Sequence, residues 1–310
     1  MNVALRSDRL GRVLVTGASG FTGRYLTQAL AEAGYRVIAW GCTSDHEVDI
    51  NQRDQVLDAL MQSPPDYVIH LAAVAFVDHD DVDELYRVNV LGTRNLLEGL
   101  AALPERPLHT LLVSSANVYG NVEGSIDEGF PLAPQNDYAV SKVAMEYMAR
   151  IWTQKLPITF VRPFNYTGVG QNEKYLLPKI VGHFRRREPA IELGNLDVVR
   201  DFNDVRNVVE AYVALLSSVG QGDVFNVCSG VETSLADVIE MMECISGHKL
   251  DVRINPKFVR ANDVRRLVGD GSRLKELVGT VAARPLESTL RWMFEMTGED
   301  EMTRNDRRGS

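Results

Sequence analysis

The sequence predicts an α/β fold, in which a doubly wound parallel sheet carries helices on both faces and a smaller C-terminal lobe follows. Three observations predict it. Segments with apolar residues at helical spacing, most clearly 82–103 and 137–154, separate short apolar runs. Those runs are rich in β-branched residues and lie at 12–16, 35–40, 66–73, 109–115 and 158–164. After about residue 165 the alternation loosens, which indicates a second and differently built region.

Composition sets the broad class of the protein. With 310 residues, of which 45% are hydrophobic and 24% charged, the chain can bury a large core and a smaller second one. The formal net charge is −9, and the basic run at 185–187 fits a solvated helix end, which argues against a nucleic-acid partner. No apolar run reaches the length of a signal-peptide core or a membrane span. We therefore expect a cytoplasmic protein without membrane association.

The cysteines are Cys42, Cys228 and Cys244, and they have neither the number nor the spacing of a disulfide framework or a zinc site. We expect each to be an ordinary small buried residue. We expect no metal site.

The first strand and the first helix flank a glycine-rich turn. Residues 16–23 read TGASGFTG, which places Gly17, Gly20 and Gly23 in a G-x-x-G-x-x-G pattern directly after the apolar run RVLVT. Glycines at such a turn allow the backbone to approach a pyrophosphate, whose charge the N-terminus of the next helix stabilises. That helix reads FTGRYLTQALAEAG and ends at Gly34, which suits a helix C-cap. This element predicts dinucleotide binding.

The second half is expected to form the smaller lobe from shorter elements. We expect helices at 176–187, 204–218, 235–246 and 286–297. We expect short strands around Ile191 and at 224–227 and 250–254. The last residues are polar and lack periodicity, so we expect a disordered tail at 299–310.

The stretch 138–142 reads YAVSK, with a tyrosine and a lysine four residues apart. That spacing is just over one helical turn, so Tyr138 and Lys142 project from the same side of the predicted helix 137–154. A second pair, Tyr175 and Lys179, has Pro178 between its members, and we interpret that pair as a coincidence.

Four further patterns lie in order between the glycine turn and YAVSK. They are EVDI, which ends in Asp49 and Ile50, HLAA at 70–73, NVLGT at 89–93 and SSANVYG at 114–120. Taken together, these patterns resemble those of the extended short-chain dehydrogenase/reductases over nearly the whole chain. The resemblance implies a Rossmann-type sheet, with a mainly dinucleotide-binding domain at 1–165. It also implies a mainly sugar-nucleotide-binding lobe at 166–298, from which some segments return to the first domain.

The same resemblance implies roles for individual residues. Ser115, Tyr138 and Lys142 would form the catalytic set, with Asn89 positioning the lysine and the cofactor. The residues expected at the cofactor are Gly17, Gly20, Phe21, Thr22, Gly23, Asp49, Ile50, Leu71, Ala72, Ala73, Asn89, Tyr138, Lys142 and Phe164.

The chemistry of the pair follows from the acidity of a phenol. A free tyrosine has a pKa near ~10 and holds its proton tightly at neutral pH. A lysine ammonium one turn away, together with the positive charge of an oxidised nicotinamide, is expected to lower the pKa of Tyr138. Tyr138 would then donate a proton to a carbonyl oxygen while hydride reaches its carbon, or run the reverse. Ser115 would hydrogen-bond the same oxygen, and Lys142 would also hold the nicotinamide ribose.

The expected substrate is a nucleotide sugar. RPFN at 162–165 resembles the R-x-F-N of sugar-nucleotide enzymes in this family, which implies that Asn165 lies on the substrate diphosphate side. Arg200 and Arg260 match the arginines that this family places on the two phosphates. A guanidinium suits that role because it stays charged and binds phosphate through two nitrogens.

Within this family, the stretches RPFNYTGVGQ, GNLDVVRDFNDV and GDVFNVCSG resemble the subgroup that reduces GDP-4-keto-6-deoxy-D-mannose. This likeness implies reduction of a 4-keto group to give GDP-D-rhamnose or its 4-epimer. Two positions depart from the subgroup: residues 260–263 read RAND in place of R-P-[SA]-E, and Tyr166 stands where a histidine is expected. The nucleotide base and the stereochemistry at carbon 4 therefore stay open.

Other reactions of the family have less support. A 4,6-dehydratase needs an acid and a base directly after the active-site hydroxyl, where this chain has Ala116 and Asn117. A 3,5-epimerase-reductase needs a further pair, typically Cys and His, and His183 with the three cysteines gives no convincing pair. A nucleotide-sugar 4-epimerase with tightly held NAD uses the same Ser-Tyr-Lys set and stays the main alternative. A non-catalytic NAD(P)-binding module is a remote one, since the catalytic set is intact.

The second strand bears on the choice of cofactor. An acidic residue at its end would bond the ribose 2′-hydroxyl and select NAD, but this strand ends in Trp40, Gly41 and Cys42. Arg24 is the arginine that could meet a 2′-phosphate. We therefore expect NADPH to be favoured and NADH to be tolerated.

The resemblance also implies a homodimer. In this family the helices that match 82–103 and 137–154 commonly pair across a two-fold axis into a four-helix bundle. Apolar residues such as Leu97, Met145 and Met148 are numerous enough to cover two faces of these helices.

Overall fold

The computed structural model describes residues 10–41, 47–75, 81–122, 124–218, 222–258, 265–279 and 283–296. A six-stranded sheet has the strand order β10-β6-β4-β3-β1-β2, and all of its neighbouring pairs are parallel. Its strands are β1 Arg12–Thr16, β2 Arg36–Trp40, β3 Tyr67–His70, β4 His109–Val113, β6 Ile158–Pro163 and β10 Val224–Val227. The predicted doubly wound parallel sheet is confirmed.

Helices cover both faces of this sheet. The helices of the described chain, including those of the C-terminal lobe, are α1 Phe21–Glu32, α2 Arg53–Gln62, α3 Val82–Tyr86, α4 Thr93–Ala102, α5 Asp137–Arg150, α6 Leu176–Arg185, α7 Val205–Leu216, α8 Leu235–Ser246, α9 Ser272–Val278 and α10 Leu286–Glu295. Between α3 and α4 the helix continues through a π-helical turn, Arg87–Gly92, where the sequence predicts one regular helix. Short 3-10 helices lie at Ala116–Tyr119 and Pro256–Phe258.

Two apolar layers hold these helices to the sheet. On one face α1 and α7 pack through residues such as Leu26, Leu30 and Val208. On the other face α2, α4 and α5 pack through residues such as Leu60, Leu96, Leu97, Leu100 and Met145. The carboxyl ends of the central strands are level, because Thr16 pairs with both Trp40 and His70 and His70 pairs with Leu112. The loops that follow these strands therefore meet at one edge, where α/β proteins bind ligands.

The C-terminal lobe has its own core, in which α6, α8 and α10 pack against two short sheets through residues such as Ile180, Phe184, Leu193, Val238 and Leu290. Its remaining strands are β5 Ser125–Ile126, β7 Asn165–Thr167, β8 Ala190–Leu193, β9 Val199–Asp204, β11 Glu232–Ser234, β12 Asp251–Ile254 and β13 Arg266–Gly269. The sequence analysis missed β5, β7, β9, β11 and β13, which lack a periodic apolar pattern.

Two later segments return to the main sheet. Strand β10 is its sixth strand beside β6, and α7 packs on the face that carries α1. No helix within the described ranges is long and apolar enough to cross a lipid bilayer.

Some sequence expectations about single residues differ from the structure. Cys244 is exposed and Cys228 is partly buried, whereas both were expected to be fully buried, and Cys42 lies outside the described residues. The predicted tail at 299–310 also lies outside them. Arg186, in the basic run after α6, forms ion pairs with Glu173 and Glu188 at the surface, as a solvated helix end would.

Candidate active site

The glycine turn packs directly against the loop that follows β3. A Cβ atom added to Gly17, whose φ is +71°, would lie 2.9 Å from the backbone nitrogen of Ala72. A Cβ atom added to Gly23 would lie 2.3 Å from the carbonyl oxygen of Gly17. Gly20 precedes the first residue of α1, so the turn leads straight into the N-terminus of that helix. A turn without side chains at a helix N-terminus fits the pyrophosphate of a dinucleotide.

The loop that follows β3 contains three of the expected cofactor residues, Leu71, Ala72 and Ala73. The backbone nitrogen of Leu71 donates to the carbonyl oxygen of Thr16 at 3.2 Å, and that of Ala72 donates to Thr16 Oγ1 at 3.1 Å. These bonds place the loop beside the glycine turn.

Asp49 and Ile50 take up different environments. Ile50 is buried and packs against Gly92, where an added Cβ atom would lie 2.7 Å from Ile50 Cγ2. Asp49 is exposed, and its Oδ1 accepts hydrogen bonds from the backbone and side-chain nitrogens of Asn51. Its side chain therefore stabilises the turn before α2, and contact with an adenine stays a prediction.

Tyr138 and Lys142 lie in the first turns of α5, and both are buried. Asn136 fixes the start of this helix, because its Oδ1 accepts from the backbone nitrogen of Ala139 at 2.8 Å. Lys142 Nζ donates to the carbonyl oxygen of Val113 at the end of β4, at 2.9 Å. Ser115 follows that strand, so the structure brings the three predicted catalytic side chains to one place.

Ser115 has a structural role as well. Its Oγ accepts from the backbone nitrogen of Asn117 at 3.2 Å and so caps the 3-10 helix Ala116–Tyr119. The same side chain lies close enough to Tyr138 to lower the pKa of its phenol. Capping and contact with the phenol are therefore compatible in one residue.

Burial dominates the acidity of the pair in the protein alone. It raises the pKa of Tyr138 well above its ordinary value, and the nearby Ser115 hydroxyl only partly opposes that shift. Burial lowers the pKa of Lys142 to about 8, and the negative charge of Glu146 opposes that shift. The lowered pKa that the sequence analysis expects for Tyr138 with an oxidised nicotinamide bound stays a prediction, and burial, which a four-residue spacing does not reveal, acts against it.

Asn89 connects the loop after β3 with α5. Its Oδ1 accepts from the backbone nitrogen of Val74 at 2.8 Å, and its Nδ2 donates to the carbonyl oxygen of Val74 at 3.1 Å and to Ser141 Oγ at 3.0 Å. Ser141 Oγ in turn donates to the carbonyl oxygen of Tyr138 at 2.7 Å. Asn89 thus acts through backbone groups, and no described hydrogen bond joins it to Lys142.

Phe21, Thr22 and Phe164 complete the expected cofactor residues. Thr22 Oγ1 lies 2.8 Å from the phenol oxygen of Tyr166, whose ring stacks on Phe21 with the centroids 6.3 Å apart. Phe164 is buried and stacks with Tyr119. The first two residues therefore lie between the glycine turn and the lobe, whereas Phe164 packs within a core cluster.

The sequence analysis missed Tyr166 and Tyr175 as neighbours of the catalytic tyrosine. Both lie close enough to Tyr138 for their phenols to raise its pKa further. Lys179 points elsewhere, because its Nζ donates to the carbonyl oxygen of Glu192 at 2.9 Å. Tyr175 and Lys179 thus do not act as a second catalytic pair, and the closeness of Tyr175 to Tyr138 depends on a fold contact that has no sequence signal.

The predicted substrate residues lie on neighbouring strands. Asn165 begins β7 and pairs with Phe202 of β9, two residues beyond Arg200 on the same strand. Arg200 Nη1 donates to the carbonyl oxygens of Val199 at 3.0 Å and Arg265 at 3.3 Å. Arg260 lies outside the described residues.

The end of β2 lies against the glycine turn. The backbone nitrogen of Ala18 donates to the carbonyl oxygen of Trp40 at 2.9 Å. A Cβ atom at Gly41 would lie 2.9 Å from the backbone nitrogen of Ser19 and 2.6 Å from its Oγ. Arg24 Nη2 donates to the carbonyl oxygen of Gly170 in the lobe at 3.3 Å. The guanidinium of Arg24 is thus directed to the lobe, and this contact does not support its expected role at a 2′-phosphate.

No group of three or more His, Cys, Asp or Glu side chains in the described part of the chain could hold a metal ion. One buried charge near the site is paired with a carboxylate. Arg162 at the end of β6 binds both carboxylate oxygens of Glu146 on α5, at 2.9 and 2.7 Å.

Comparisons with known proteins agree on one family. The model of the NAD dependent epimerase/dehydratase family matches residues 13–228. The GDP-6-deoxy-D-talose 4-dehydrogenase of Aggregatibacter actinomycetemcomitans is 35% identical over 86% of this chain and 91% of that protein. The GDP-6-deoxy-D-mannose reductase of Pseudomonas aeruginosa is 34% identical over 90% of this chain and 95% of that protein.

A solved structure agrees with these relatives. The structure of RMD from Pseudomonas aeruginosa complexed with NADPH superimposes with a TM-score of 0.83 and is 32% identical. The superposition covers 94% of this chain and 98% of that one.

Proposed function

The chain belongs to the NAD dependent epimerase/dehydratase family of extended short-chain dehydrogenase/reductases, and on that basis we propose that it is a nucleotide-sugar reductase. It transfers hydride from NAD(P)H to the 4-keto group of a nucleotide-linked 6-deoxyhexose. The favoured substrate is GDP-4-keto-6-deoxy-D-mannose, and the product is GDP-D-rhamnose or its 4-epimer.

The observation that carries this proposal is the meeting of Ser115, Tyr138 and Lys142 beside the glycine turn. When bound, the reduced nicotinamide supplies the hydride. Because burial raises the pKa of Tyr138, its phenol stays protonated at neutral pH, which is the form that can donate a proton to a carbonyl oxygen. The Lys142 ammonium then stabilises the phenolate that forms, and Ser115 orients the same oxygen.

The residues after Ser115 bear on the type of reaction, and the relatives bear on the sugar. Ala116 and Asn117 offer no acid or base for an elimination. The named relatives act on GDP-linked 6-deoxy-D-talose and 6-deoxy-D-mannose, which differ only at carbon 4. That pair supports a GDP-linked 6-deoxyhexose with its reacting keto group at carbon 4.

The substrate diphosphate is proposed to bind between the main sheet and the lobe. Asn165 and Arg200 lie on adjacent strands there, and the sequence adds Arg260. Guanidinium groups suit a diphosphate because their charge persists at every physiological pH.

NADPH is the favoured cofactor, with NADH tolerated. The support is Gly41, which stands where an acidic side chain would bond the ribose 2′-hydroxyl of NAD. The close approach of Ser19 leaves no room there for any side chain, so an acidic residue is absent for a steric reason.

A homodimer through a four-helix bundle is proposed for α3, α4 and α5. Leu97 and Met145, which were expected to contribute, are buried in the protomer's own core, because they face the sheet. A different apolar set remains exposed on the outer side, namely Leu91, Val140, Tyr147 and Ile151. Val140, Tyr147 and Ile151 are spaced seven and four residues apart, so they form one stripe along α5.

An isotope experiment distinguishes this reductase from the 4-epimerase that shares its catalytic set. With NADPH deuterated at the transferred position, a reductase places deuterium on carbon 4 of the GDP-6-deoxyhexose, which mass spectrometry detects as a gain of one mass unit. An epimerase starts from a 4-hydroxy sugar, returns that sugar's own hydrogen to carbon 4 and takes no deuterium from added NADPH. Product without deuterium would contradict the proposed reductase.

A further inference from the structure

A buried histidine, His70, ends β3 directly before the loop that contains the expected cofactor residues. Its two ring nitrogens contact threonines from two other elements. Nδ1 lies 2.7 Å from Thr16 Oγ1 at the end of β1, and Nε2 lies 2.9 Å from Thr93 Oγ1 at the start of α4. His70 is therefore the centre of a hydrogen-bond chain at the edge of the sheet that carries the candidate site.

The direction of each bond in this chain follows from the partners at its two ends. Thr93 Oγ1 lies 2.8 Å from the carbonyl oxygen of Asn89, which can only accept, so the hydroxyl proton of Thr93 is used there. His70 must then donate from Nε2. Thr16 Oγ1 accepts from the backbone nitrogen of Ala72 at 3.1 Å, and its own proton is free to reach Nδ1 of His70. The chain runs from Ala72 through Thr16, His70 and Thr93 to Asn89, with every contact satisfied.

This chain and the side chain of Asn89 hold the same loop at two points. Ala72 is held through Thr16, and Val74 is held by Asn89 directly, at 2.8 and 3.1 Å. Asn89 also reaches Ser141, which bonds the carbonyl oxygen of Tyr138. One continuous hydrogen-bond network thus joins the loop after β3, the end of β1 and the helix α5.

We propose that His70, fixed as the neutral tautomer with its proton on Nε2, is a positioning residue that holds the loop 71–75 in the shape that binds NAD(P)H. This inference rests on the proposed function, since it requires that the loop contact the dinucleotide. His70 has no contact with the reacting atoms, and it acts through Thr16, Thr93 and Asn89.

The surroundings of His70 favour the neutral ring that the chain requires. If Nδ1 of His70 were also protonated, it could no longer accept the hydroxyl proton of Thr16. That proton would then have lost its acceptor. Burial and, to a smaller extent, the positive charge of Lys142 lower the pKa of His70 to about 3. The ring therefore stays neutral throughout the pH range in which the protein would work.

The fold supplies a matched control at the opposite edge of the same sheet. His109 begins β4 and is also buried, and its Nε2 lies 2.8 Å from Thr159 Oγ1 of β6. His70 with Thr93 and His109 with Thr159 are thus two buried His–Thr contacts. They differ in position. His70 ends β3, next to the loop of the candidate cofactor site, whereas His109 begins β4, at the other end of the strands.

The test compares Thr93→Val with Thr159→Val, which remove the two threonine hydroxyls without a change of side-chain shape. Both variants should lose stability to a similar degree in thermal unfolding. A buried donor left unpaired shifts an equilibrium by roughly tenfold. We therefore expect the Kd of NADPH, measured by nicotinamide fluorescence, to rise about tenfold in Thr93→Val and to stay within twofold of wild type in Thr159→Val.

The outcomes separate this inference from the proposed function. Wild-type protein that binds neither NADPH nor NADH contradicts the proposed function, and the inference with it. Wild-type binding with equal Kd values in the two variants overturns the role of His70 alone. A rise in Kd that occurs only in Thr93→Val supports it.

A second measurement is made on the wild-type protein, and a variant serves only to assign the resonance of His70. In ¹⁵N spectra of labelled histidine, the resonance that disappears in His70→Asn identifies His70. We expect its proton on Nε2 and an unprotonated Nδ1, unchanged between pH 8 and pH 5, because its pKa is lowered to about 3. A proton on Nδ1, or titration within that range, would overturn the assigned chain.

Discussion

Lys142 Nζ donates a hydrogen bond to the carbonyl oxygen of Val113 at 2.9 Å. This bond joins the second turn of α5 to the end of β4, two residues before Ser115. It therefore fixes the ammonium of the catalytic helix relative to the strand that carries the catalytic serine. The ammonium has few protein partners in this position, which makes Lys142 better suited to catalysis than to stability.

Tyr138→Phe should separate cofactor binding from chemistry. The substitution removes the phenol proton and keeps the ring, which is buried. We expect the Kd of NADPH to change little and kcat to fall by about 10²–10⁴-fold, the usual range for loss of a general acid. Steady-state kinetics beside a fluorescence titration measure both, and near-normal turnover would remove Tyr138 from the mechanism.

Lys142→Met should raise stability while it abolishes activity. Burial disfavours the charged lysine in the folded protein, and methionine fills a similar volume without a charge. At pH 7 we expect the free energy of unfolding to increase by about 1–3 kcal/mol. Chemical denaturation measures the change. Lys179→Met is the control, since that ammonium is partly exposed and should give no such gain.

The stability gained in Lys142→Met should depend on pH, and the sign of that dependence follows from the pKa of Lys142. Lys142 has a pKa of about 8 in the folded protein and of 10.5 in the unfolded chain, so the unfolded state binds more protons between these values. Stability then rises with pH in the wild type, and the advantage of Lys142→Met should shrink as the pH increases from 8 towards 10. An advantage that is constant over this range would show that the charge of Lys142 is not the cause.

Gly23→Ala tests the packing of the glycine turn. The new methyl group would lie 2.3 Å from the carbonyl oxygen of Gly17 and 2.6 Å from that of Ala18, and backbone atoms cannot move aside cheaply. We expect the Kd of NADPH to rise more than about tenfold, because the turn must deform. Gly129→Ala is the control, since its nearest neighbour is the Asp127 side chain at 3.1 Å. Equal affinity in both variants would contradict the role of the turn.

Ile151→Glu should disrupt the proposed dimer. Ile151 is 76% exposed on the outer stripe of α5, where a partner's helices would cover it. Leu108→Glu is the control, because Leu108 is 64% exposed but lies before β4 and not on the outer stripe of α5. Light scattering at micromolar concentration should give a dimer mass for wild type and Leu108→Glu and a monomer mass for Ile151→Glu. A monomeric wild type would count against the bundle.

Features that depend only on residues close together in the chain could be predicted from local sequence patterns. The glycine turn, the strand before it and the one-turn spacing of Tyr138 and Lys142 are all short-range features, and the structure shows the turn, the strand and the spacing. Long-range contacts had no such signal. The contact between Thr22 and Tyr166 joins residues 144 positions apart, and a tyrosine at 166 could be judged only as a departure from an expected histidine.

The residues of the proposed dimer interface were also hard to predict from the sequence. Leu97 and Met145 lie on apolar helices, but a sequence does not reveal which apolar face meets the protomer's own sheet. The pKa of Tyr138 could not be predicted from the sequence for a similar reason. A nearby lysine is visible in the sequence, whereas burial, the largest influence on the pKa of Tyr138, depends on the whole fold.

Consumption of the reduced cofactor tests the central claim most directly. The purified protein is mixed with NADPH or NADH and a GDP-4-keto-6-deoxyhexose, and the absorbance of the reduced nicotinamide is followed. The account predicts that one equivalent of cofactor is oxidised for each GDP-6-deoxyhexose formed, because a reductase releases its oxidised cofactor in every cycle. UDP-glucose and UDP-galactose are assayed in parallel, and interconversion of these two sugars without net cofactor consumption would contradict the reductase and establish the epimerase.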